Sequence, residues 1–204
     1  MNRRNFIVGL PLALSGCAAQ KVWAPDDVVR RAVHRKPGRN YLTLYTMKNV
    51  GSGNGAHTAL LINASQRVLF DPAGSFKQDL MPERNDVLFG VTPRLENFYV
   101  SFHARSTYYV VGQTVDVTPE IAEQAFNIAL VSGPVPQANC ARVTSRILRQ
   151  LPGFEGLRQT WSPNRIHDDF AKLRGVTTLE YRENDADDKT LALEEISEIL
   201  REGQ

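Results

Sequence analysis

Few of the features that mark specialised protein classes occur in this sequence of 204 residues. It contains only two cysteines, and no apolar run reaches the roughly 20 residues that a membrane-spanning helix needs. Hydrophobic residues make up 42% and charged residues 23% of the chain, which is typical of globular proteins. A disordered tail, a coiled coil, a collagen-like repeat and a multi-pass membrane protein are therefore excluded.

The catalytic motifs that are easiest to recognise are also missing. There is no HExxH, CxxC or GxSxG pattern, and the glycine-rich segment 49–55 is not followed by the Lys-Ser/Thr pair of a phosphate-binding loop. No internal repeat is visible. A zinc site would need ligands that the sequence does not offer in a recognisable arrangement, so we expect neither a metal nor a cofactor.

Residues 1–16 have the layout of a secretory signal peptide. Two arginines form a charged front, a short apolar run follows, and the small residues Ser15 and Gly16 close the segment. Residues 3–7 (RRNFI) resemble the twin-arginine export signal, with an ordinary positively charged leader as the alternative.

Residues 14–17 (LSGC) resemble the lipobox of bacterial lipoproteins, in which the cysteine is lipidated and becomes the new N-terminus. We therefore predict a lipid-anchored protein of the bacterial cell envelope, held at the membrane through Cys17 and facing the periplasm. An incidental cysteine in the leader is the alternative. Residues 17–40 would then be a lipid-anchored linker or short helix, and residues 41–204 a single domain that ends in an acidic C-terminal helix.

Removal of the leader changes the charge balance. The whole chain carries a formal net charge of +2, but loss of Arg3 and Arg4 leaves 22 basic against 22 acidic residues. A neutral mature chain argues against nucleic-acid binding, which usually needs a basic surface. Lipidation also consumes Cys17, so Cys140 remains as a lone thiol in an oxidising compartment, either buried and inert or reactive.

The hydrophobic patterning predicts a strand-rich first half followed by helices, which is an α+β fold with an antiparallel sheet packed against helices. Short runs of β-branched and aromatic residues predict strands at 41–47, 57–63, 66–71, 86–91, 97–103, 107–117 and 176–182. Cap residues followed by helical spacing predict helices at about 118–131, from 138 or 139 to about 152, at 162–175 and near the C-terminus.

Cys140 lies at the predicted start of a helix, directly after a loop. Unpaired N–H groups and the helix dipole stabilise a thiolate there, which lowers the thiol pKa and improves the nucleophile. The same N–H groups can stabilise the oxyanion that forms when a thiolate attacks a carbonyl. Buried packing is the simpler role of such a cysteine.

A thiol nucleophile needs a base, and His57 stands at the head of an apolar strand beside the glycine-rich loop. His34 falls in the predicted linker, and His167 beside Asp168 has the pattern of a surface residue. Asp71, at the end of the next strand, would orient the imidazole of His57 if the intervening turn has an odd number of residues. The pattern leaves the turn length open, and it leaves Asn97, His103 and Gln113 as alternatives to Asp71.

This order of residues resembles a known superfamily. A histidine strand (55–61, GAHTALL), a polar residue on the next strand (68–71, VLFD) and Asn139-Cys140 opening a later helix are similar to the circularly permuted branch of the NlpC-like, papain-fold cysteine hydrolases. The resemblance covers about residues 41–175 and implies a papain-like fold in which the histidine strand precedes the cysteine helix.

The resemblance also implies a function. Cys140 would be the nucleophile, His57 the base and Asp71 the orienting group of a thiol hydrolase. The expected substrate contains an amide or peptide bond, such as one in peptidoglycan of the cell wall, with lipid acyl groups second. A non-catalytic lipoprotein that binds or scaffolds, with Cys140 buried, and a thiol acyltransferase are the alternatives.

Overall fold

The computed structural model describes residue 19 and residues 21–202 of the chain. The predicted signal peptide and Cys17 lie outside the described residues. Within the described part, none of the helices combines the length and the apolar character needed to cross a membrane.

The described residues form one seven-stranded sheet in which every neighbouring pair is antiparallel. The strands are β1 Tyr41–Asn49, β2 Gly55–Asn63, β3 Arg67–Phe70, β4 Glu83–Arg84, β5 Val87–Leu88, β6 Tyr108–Asp116 and β7 Thr177–Tyr181. Their order in space is β4-β5-β3-β2-β1-β6-β7. The long hairpin of β1 and β2 thus lies at the centre, and β3 runs beside β2, which brings the end of β3 close to the start of β2.

Six helices accompany the sheet in this part of the chain: α1 Asp26–Ala32, α2 Pro93–His103, α3 Pro119–Leu130, α4 Cys140–Leu148, α5 Pro163–Phe170 and α6 Lys189–Glu202. Three of them begin in the same way. Thr92, Thr118 and Ser162 each accept a hydrogen bond through the side-chain oxygen from an N–H of the first turn, and a proline follows the cap. A proline is favoured there because its missing N–H has no intrahelical partner in any case. The predicted α+β class is confirmed.

Each face of the sheet carries its own apolar core. Alternating strand residues such as Leu42, Leu44 and Ile62 pack with α3, α4 and α5 on one face, whereas Tyr45 and Leu61 pack with α2 and α6 on the other. Successive strand side chains point to opposite faces, so the alternation follows directly from the β geometry. The sheet is therefore sandwiched between two helical layers.

One predicted strand is wrong. Residues 97–103 belong to α2, which begins at Pro93 after the Thr92 cap. The aromatic and β-branched residues of this segment favour a strand locally, but Leu95, Tyr99 and Phe102 lie at helical spacing and are all buried on one face. Packing of that face against the sheet outweighs the local preference.

Several boundaries also differ from the prediction. The expected strand at 86–91 contracts to Val87–Leu88, because Asp86 and Gly90 on either side adopt positive φ angles of 70° and 75°. The helices predicted to end near 152 and 175 end at Leu148 and Phe170, and turns complete both segments. The strands predicted at 41–47, 57–63, 66–71, 107–117 and 176–182 are confirmed within a few residues.

The segment before β1 packs against the domain. It contains α1, whose Val29 is buried, and the Ala24 N–H donates to the carbonyl of Glu83 across a distance of 2.9 Å. Further along, the N–H of Arg67 donates to the carbonyl of His34 at 2.8 Å. These contacts tie the beginning of the described chain to the β3–β5 side of the sheet.

Candidate active site

Cys140 is the first residue of α4, and this helix packs on β2. The thiol is buried, with 7% of the residue exposed. Asn139 occupies the cap position, but its side chain makes no capping hydrogen bond and instead donates to the carbonyl of Gln137. The first-turn N–H groups therefore have no capping side chain, and they are available to a negative charge at Cys140 or beside it.

His57 lies near the start of β2, opposite Met47 and next to an irregularity in the pairing with β1. Its Nε2 lies 2.7 Å from Asp71 Oδ1. The Cys140 thiol lies close enough to His57 for each group to shift the pKa of the other. Because Asp71 occupies Nε2, Nδ1 is the ring nitrogen left for sulfur, so one imidazole links the carboxylate to the thiol.

Asp71 follows β3 directly, and its side chain is 3% exposed. Asn63 pairs with Arg67, which leaves three residues, 64–66, in the turn between β2 and β3. An odd turn places Asp71 on the sheet face of His57, in agreement with the 2.7 Å contact. The hydroxyl of Tyr99 on α2 donates to the same Oδ1 at 2.8 Å, so the carboxylate is held from two sides.

Gly74 gives the Asp71 carboxylate the space that it occupies. A Cβ built on Gly74 would lie 1.7 Å from Asp71 Oδ2. The two residues also close a turn, since the Gly74 N–H donates to the Asp71 carbonyl at 3.0 Å. Any side chain at position 74 would displace the carboxylate or the turn.

His57 and Asp71 each stabilise the charged form of the other. Burial works against a charged imidazole, yet the negative charge and hydrogen bond of Asp71, with a smaller contribution from Cys140, raise the pKa of His57 to about 10. Burial likewise works against a charged Asp71, but the charge and hydrogen bond of His57 and the Tyr99 hydroxyl lower the pKa of its carboxyl. The two groups are therefore an imidazolium and a carboxylate at neutral pH.

The charge of His57 also shifts the pKa of the Cys140 thiol. Burial disfavours the thiolate, but the hydrogen bond and charge of His57, with the N–H groups of Thr58 and Ala141, lower the pKa of Cys140 below its ordinary value. A thiolate facing an imidazolium is the activated form of a cysteine nucleophile. The geometry therefore provides a nucleophile, a proton carrier and a group that holds the carrier.

His103, which the sequence offers in place of Asp71, lies beside the site in a different role. Its ring stacks near that of His57, with centroids 6.1 Å apart and planes at 17°. Its Nδ1 lies 2.8 Å from the carbonyl of Tyr99, so that nitrogen carries the proton. Burial lowers the pKa of His103 to about 4, so this ring is neutral at pH 7.

Asn97, Gln113 and His167 take no part in the site. Asn97 is exposed on α2, and Gln113 lies on β6 opposite Leu44. Among the described residues, the hydrogen bonds connect neither of them to His57. His167 bonds to its exposed neighbour Asp168 at 3.0 Å on α5, away from the Cys140 helix start.

A cavity of about 320 Å³ opens beside the site. Its walls include His57, His103 and Gly74, together with residues of the 105–108 and 187–189 segments. Cys140 does not itself line the cavity, which reaches the site at the ring of His57. In the described part of the chain, no three His, Cys, Asp or Glu side chains are grouped to hold a metal ion.

Sequence reasoning missed the supporting residues Tyr99 and Gly74. Tyr99 lies in the segment predicted as a strand, and only the Thr92-Pro93 helix start could have placed it four residues before His103 on one helix face. Gly74 follows Asp71 in a Pro-Ala-Gly-Ser turn, but the sequence carries no sign of the close approach of the carboxylate.

Comparison of this chain with protein-family models, curated proteins and solved structures finds no match. The function is therefore inferred from the geometry of the site.

Proposed function

We propose that this protein is a thiol hydrolase that uses Cys140 as nucleophile, His57 as acid and base, and Asp71 as the orienting group. The observation that supports it most strongly is the 2.7 Å contact between the buried Asp71 carboxylate and Nε2 of His57, which leaves the other ring nitrogen for the nearby thiol at a helix start. Long-range contacts and one helix terminus have to coincide to build this arrangement, and packing of a buried cysteine requires none of them.

The reaction proceeds through a thioester. The Cys140 thiolate attacks the carbonyl carbon of the substrate, and the oxygen takes the electron pair of the C=O bond beside first-turn N–H groups of α4. The imidazolium of His57 gives its Nδ1 proton to the leaving amine or alcohol as the C–N or C–O bond breaks. Water then attacks the thioester and gives a proton to the neutral His57, and the Cys140 thiolate leaves as the acid is released, which restores the thiolate–imidazolium pair.

Asp71 and Tyr99 act on His57 and do not touch the reacting atoms. The carboxylate fixes the imidazole with Nε2 protonated, so that Nδ1 faces sulfur, and it stabilises the imidazolium. Tyr99 uses part of the hydrogen-bonding capacity of Oδ1 and limits rotation of the carboxylate. Both are therefore positioning residues.

The proposal extends to the family, the substrate and the location. The order of histidine strand, aspartate turn and cysteine helix supports a papain-like fold in the permuted arrangement of NlpC-like hydrolases, with an amide or peptide bond as the target. The leader and lipobox residues 1–17 support a lipid anchor at Cys17 and a periplasmic position, where cell-wall peptides are within reach. Lipid acyl esters are the second substrate class, and no nucleic acid is involved.

The test is hydrolysis by the full-length chain of two substrates, peptide fragments of bacterial cell wall and the ester p-nitrophenyl acetate. We expect new amino groups from the peptides or nitrophenol from the ester, and a transient mass increase on Cys140 from the acyl group. Cys140→Ala and His57→Ala should remove both signals, whereas His167→Ala should keep them. Turnover that survives in Cys140→Ala would overturn the proposal, and so would a Cys140 that acquires no acyl group.

A further inference from the structure

The cavity beside His57 is lined by groups of different chemistry. Neutral His103 has its Nδ1 occupied by the carbonyl of Tyr99, which leaves Nε2 without that bond. The lining also carries three charged side chains, those of Arg105, Asp187 and Lys189. A volume of about 320 Å³ is at the small end of the range for ligand pockets and suits one residue of a substrate.

Two of the three charges are already engaged. Arg105 Nη1 lies 3.3 Å from Asp185 Oδ2. Asp187 Oδ1 accepts from the Thr107 N–H at 3.0 Å, and its Oδ2 accepts from the hydroxyls of Ser106, at 3.0 Å, and Thr107. Asp187 therefore fastens the 185–189 segment to the loop before β6.

Lys189 is different. It is the first residue of α6, and its Nζ donates one long hydrogen bond, at 3.5 Å, to the hydroxyl of Ser75. The adjacent carboxylate of Asp188 caps the helix by accepting from the N–H groups of Thr190 and Leu191. Among the described residues, no carboxylate lies within 4.0 Å of the Lys189 ammonium.

The ammonium is also held in place. It lies 5.0 Å from the centroid of the Phe102 ring, which attracts a cation through its π face. An ammonium has three N–H donors, and one long bond leaves at least two for a ligand. The hydroxyl of Ser75, the residue after the Asp71–Gly74 turn, stands next to it, so the cavity wall offers the cation and a hydroxyl donor together.

We infer that this cavity binds a carboxylate of the substrate, and that Lys189 and Ser75 select substrates with an acidic group close to the bond attacked by Cys140. The inference rests on the proposed function. A carboxylate matches a cation on which Asp71 and Asp187 act only from beyond ion-pair distance, and charge-assisted bonds at a partly open site add specificity. The acidic group is either a side-chain carboxylate or the free end of a peptide.

The test is protection of Cys140 from iodoacetamide by three short peptides, followed by mass spectrometry of the Cys140 peptide. Acetyl-Ala-Gln-amide is neutral, acetyl-Ala-Glu-amide carries a side-chain carboxylate, and acetyl-Ala-Gln with a free end carries a terminal one. We expect one of the acidic peptides to protect at about tenfold lower concentration than the neutral peptide, which corresponds to about 1.4 kcal/mol. The acidic peptide that protects better identifies the source of the carboxylate.

Variants separate this inference from the proposed function. Lys189→Met should abolish the preference, Lys189→Arg should keep it, and Lys172→Met, at an exposed lysine that binds Asp169 elsewhere, should leave it unchanged. Alkylation of Cys140 without peptide is measured in each variant, and protection is expressed relative to that rate. A fast-reacting Cys140 with no preference for acidic peptides, or with one that persists in Lys189→Met, overturns the carboxylate site alone. A Cys140 that reacts no faster than an ordinary thiol overturns the proposed function as well.

Discussion

Two His–Asp pairs in the molecule have similar geometry and very different surroundings. His57 and Asp71 meet at 2.7 Å, and His167 and Asp168 meet at 3.0 Å. The two histidine side chains are almost equally exposed, at 18% and 17%, but the Asp71 carboxylate is 3% exposed and that of Asp168 is 60% exposed. The second pair joins chain neighbours on a helix, whereas the first joins two strands.

The two pairs differ in chemical capacity because the carboxylate of Asp71 is buried and that of Asp168 is exposed. An exposed carboxylate is solvated by water and screened by ions. A buried carboxylate acts through a medium of low dielectric and must itself be held by donors, which His57 and Tyr99 provide. A His–Asp contact therefore indicates a catalytic unit only where the acid is buried and the second ring nitrogen meets a reactive group.

The largest expected effect comes from removing each histidine. In His57→Ala, alkylation of Cys140 by iodoacetamide at pH 6 should fall by about 100-fold, because the thiol loses the charge of His57 that lowers its pKa and keeps the burial that raises it. In His167→Ala the rate should stay within about twofold. The measurement is the second-order rate at the Cys140 peptide by mass spectrometry. Equal rates in the two variants would remove the distinction between the pairs.

Removing the acid while keeping its shape gives the next largest effect. Asp71→Asn should lower hydrolysis by about 100-fold and alkylation at pH 6 by about tenfold, since the amide neither stabilises the imidazolium nor fixes its tautomer. The pKa of His57 should fall from about 10 toward its ordinary value, because the charge and hydrogen bond that raise it are lost. Asp168→Asn is the control, and nuclear magnetic resonance titration of the ring protons measures the shift. An unchanged pKa of His57 would contradict the role of Asp71.

A glycine substitution tests how closely the carboxylate is held. In Gly74→Ala the new methyl group would collide with Asp71, and we expect alkylation at pH 6 to fall by several-fold to tenfold. Gly156→Ala is the control, because nothing lies within 4 Å of the added methyl group. Thermal unfolding followed by circular dichroism shows whether each variant folds. A folded Gly74→Ala that reacts at the wild-type rate would show that the turn can move without disturbing Asp71.

The smallest effect is expected at Tyr99. Tyr99→Phe removes the hydroxyl that donates to Asp71 and keeps the ring in the core, so alkylation at pH 6 should fall by about two- to fivefold. The pH at which the alkylation rate first rises should shift to a higher value, because a less restrained Asp71 stabilises the imidazolium less well. A change in rate without a shift of that pH would indicate a structural role only.

Some features of the fold are accessible from the sequence and others are not. Alternating strand residues and cap-then-proline starts predict the central strands and helices α3 and α5, because these signals are local. At Thr92-Pro93 the same signal predicts a helix, but the aromatic residues that follow favour a strand. Helix packing on the sheet decides the outcome there.

In the candidate site, too, some features can be predicted from the sequence and others cannot. The order of His57, Asp71 and Cys140 predicts the three candidates, but whether Asp71 shares a face with His57 depends on the length of one turn, which the residues alone do not decide. Tyr99 and Lys189 reach the site through contacts between distant segments. Burial and long-range packing determine such contacts, and a single sequence carries no local signal for them.

The most direct measurement of the central claim is the pH dependence of Cys140 alkylation in the wild-type chain. The account predicts a rise at a pH below the ordinary thiol value of about 8.5, where the lowered thiol pKa produces the thiolate, and a second step near pH 10, where His57 loses its proton. Between these values the thiolate–imidazolium pair is present and the rate is nearly constant. A single rise at pH 8.5 or above, or no reaction until the protein unfolds, would show that Cys140 is only packed in the core.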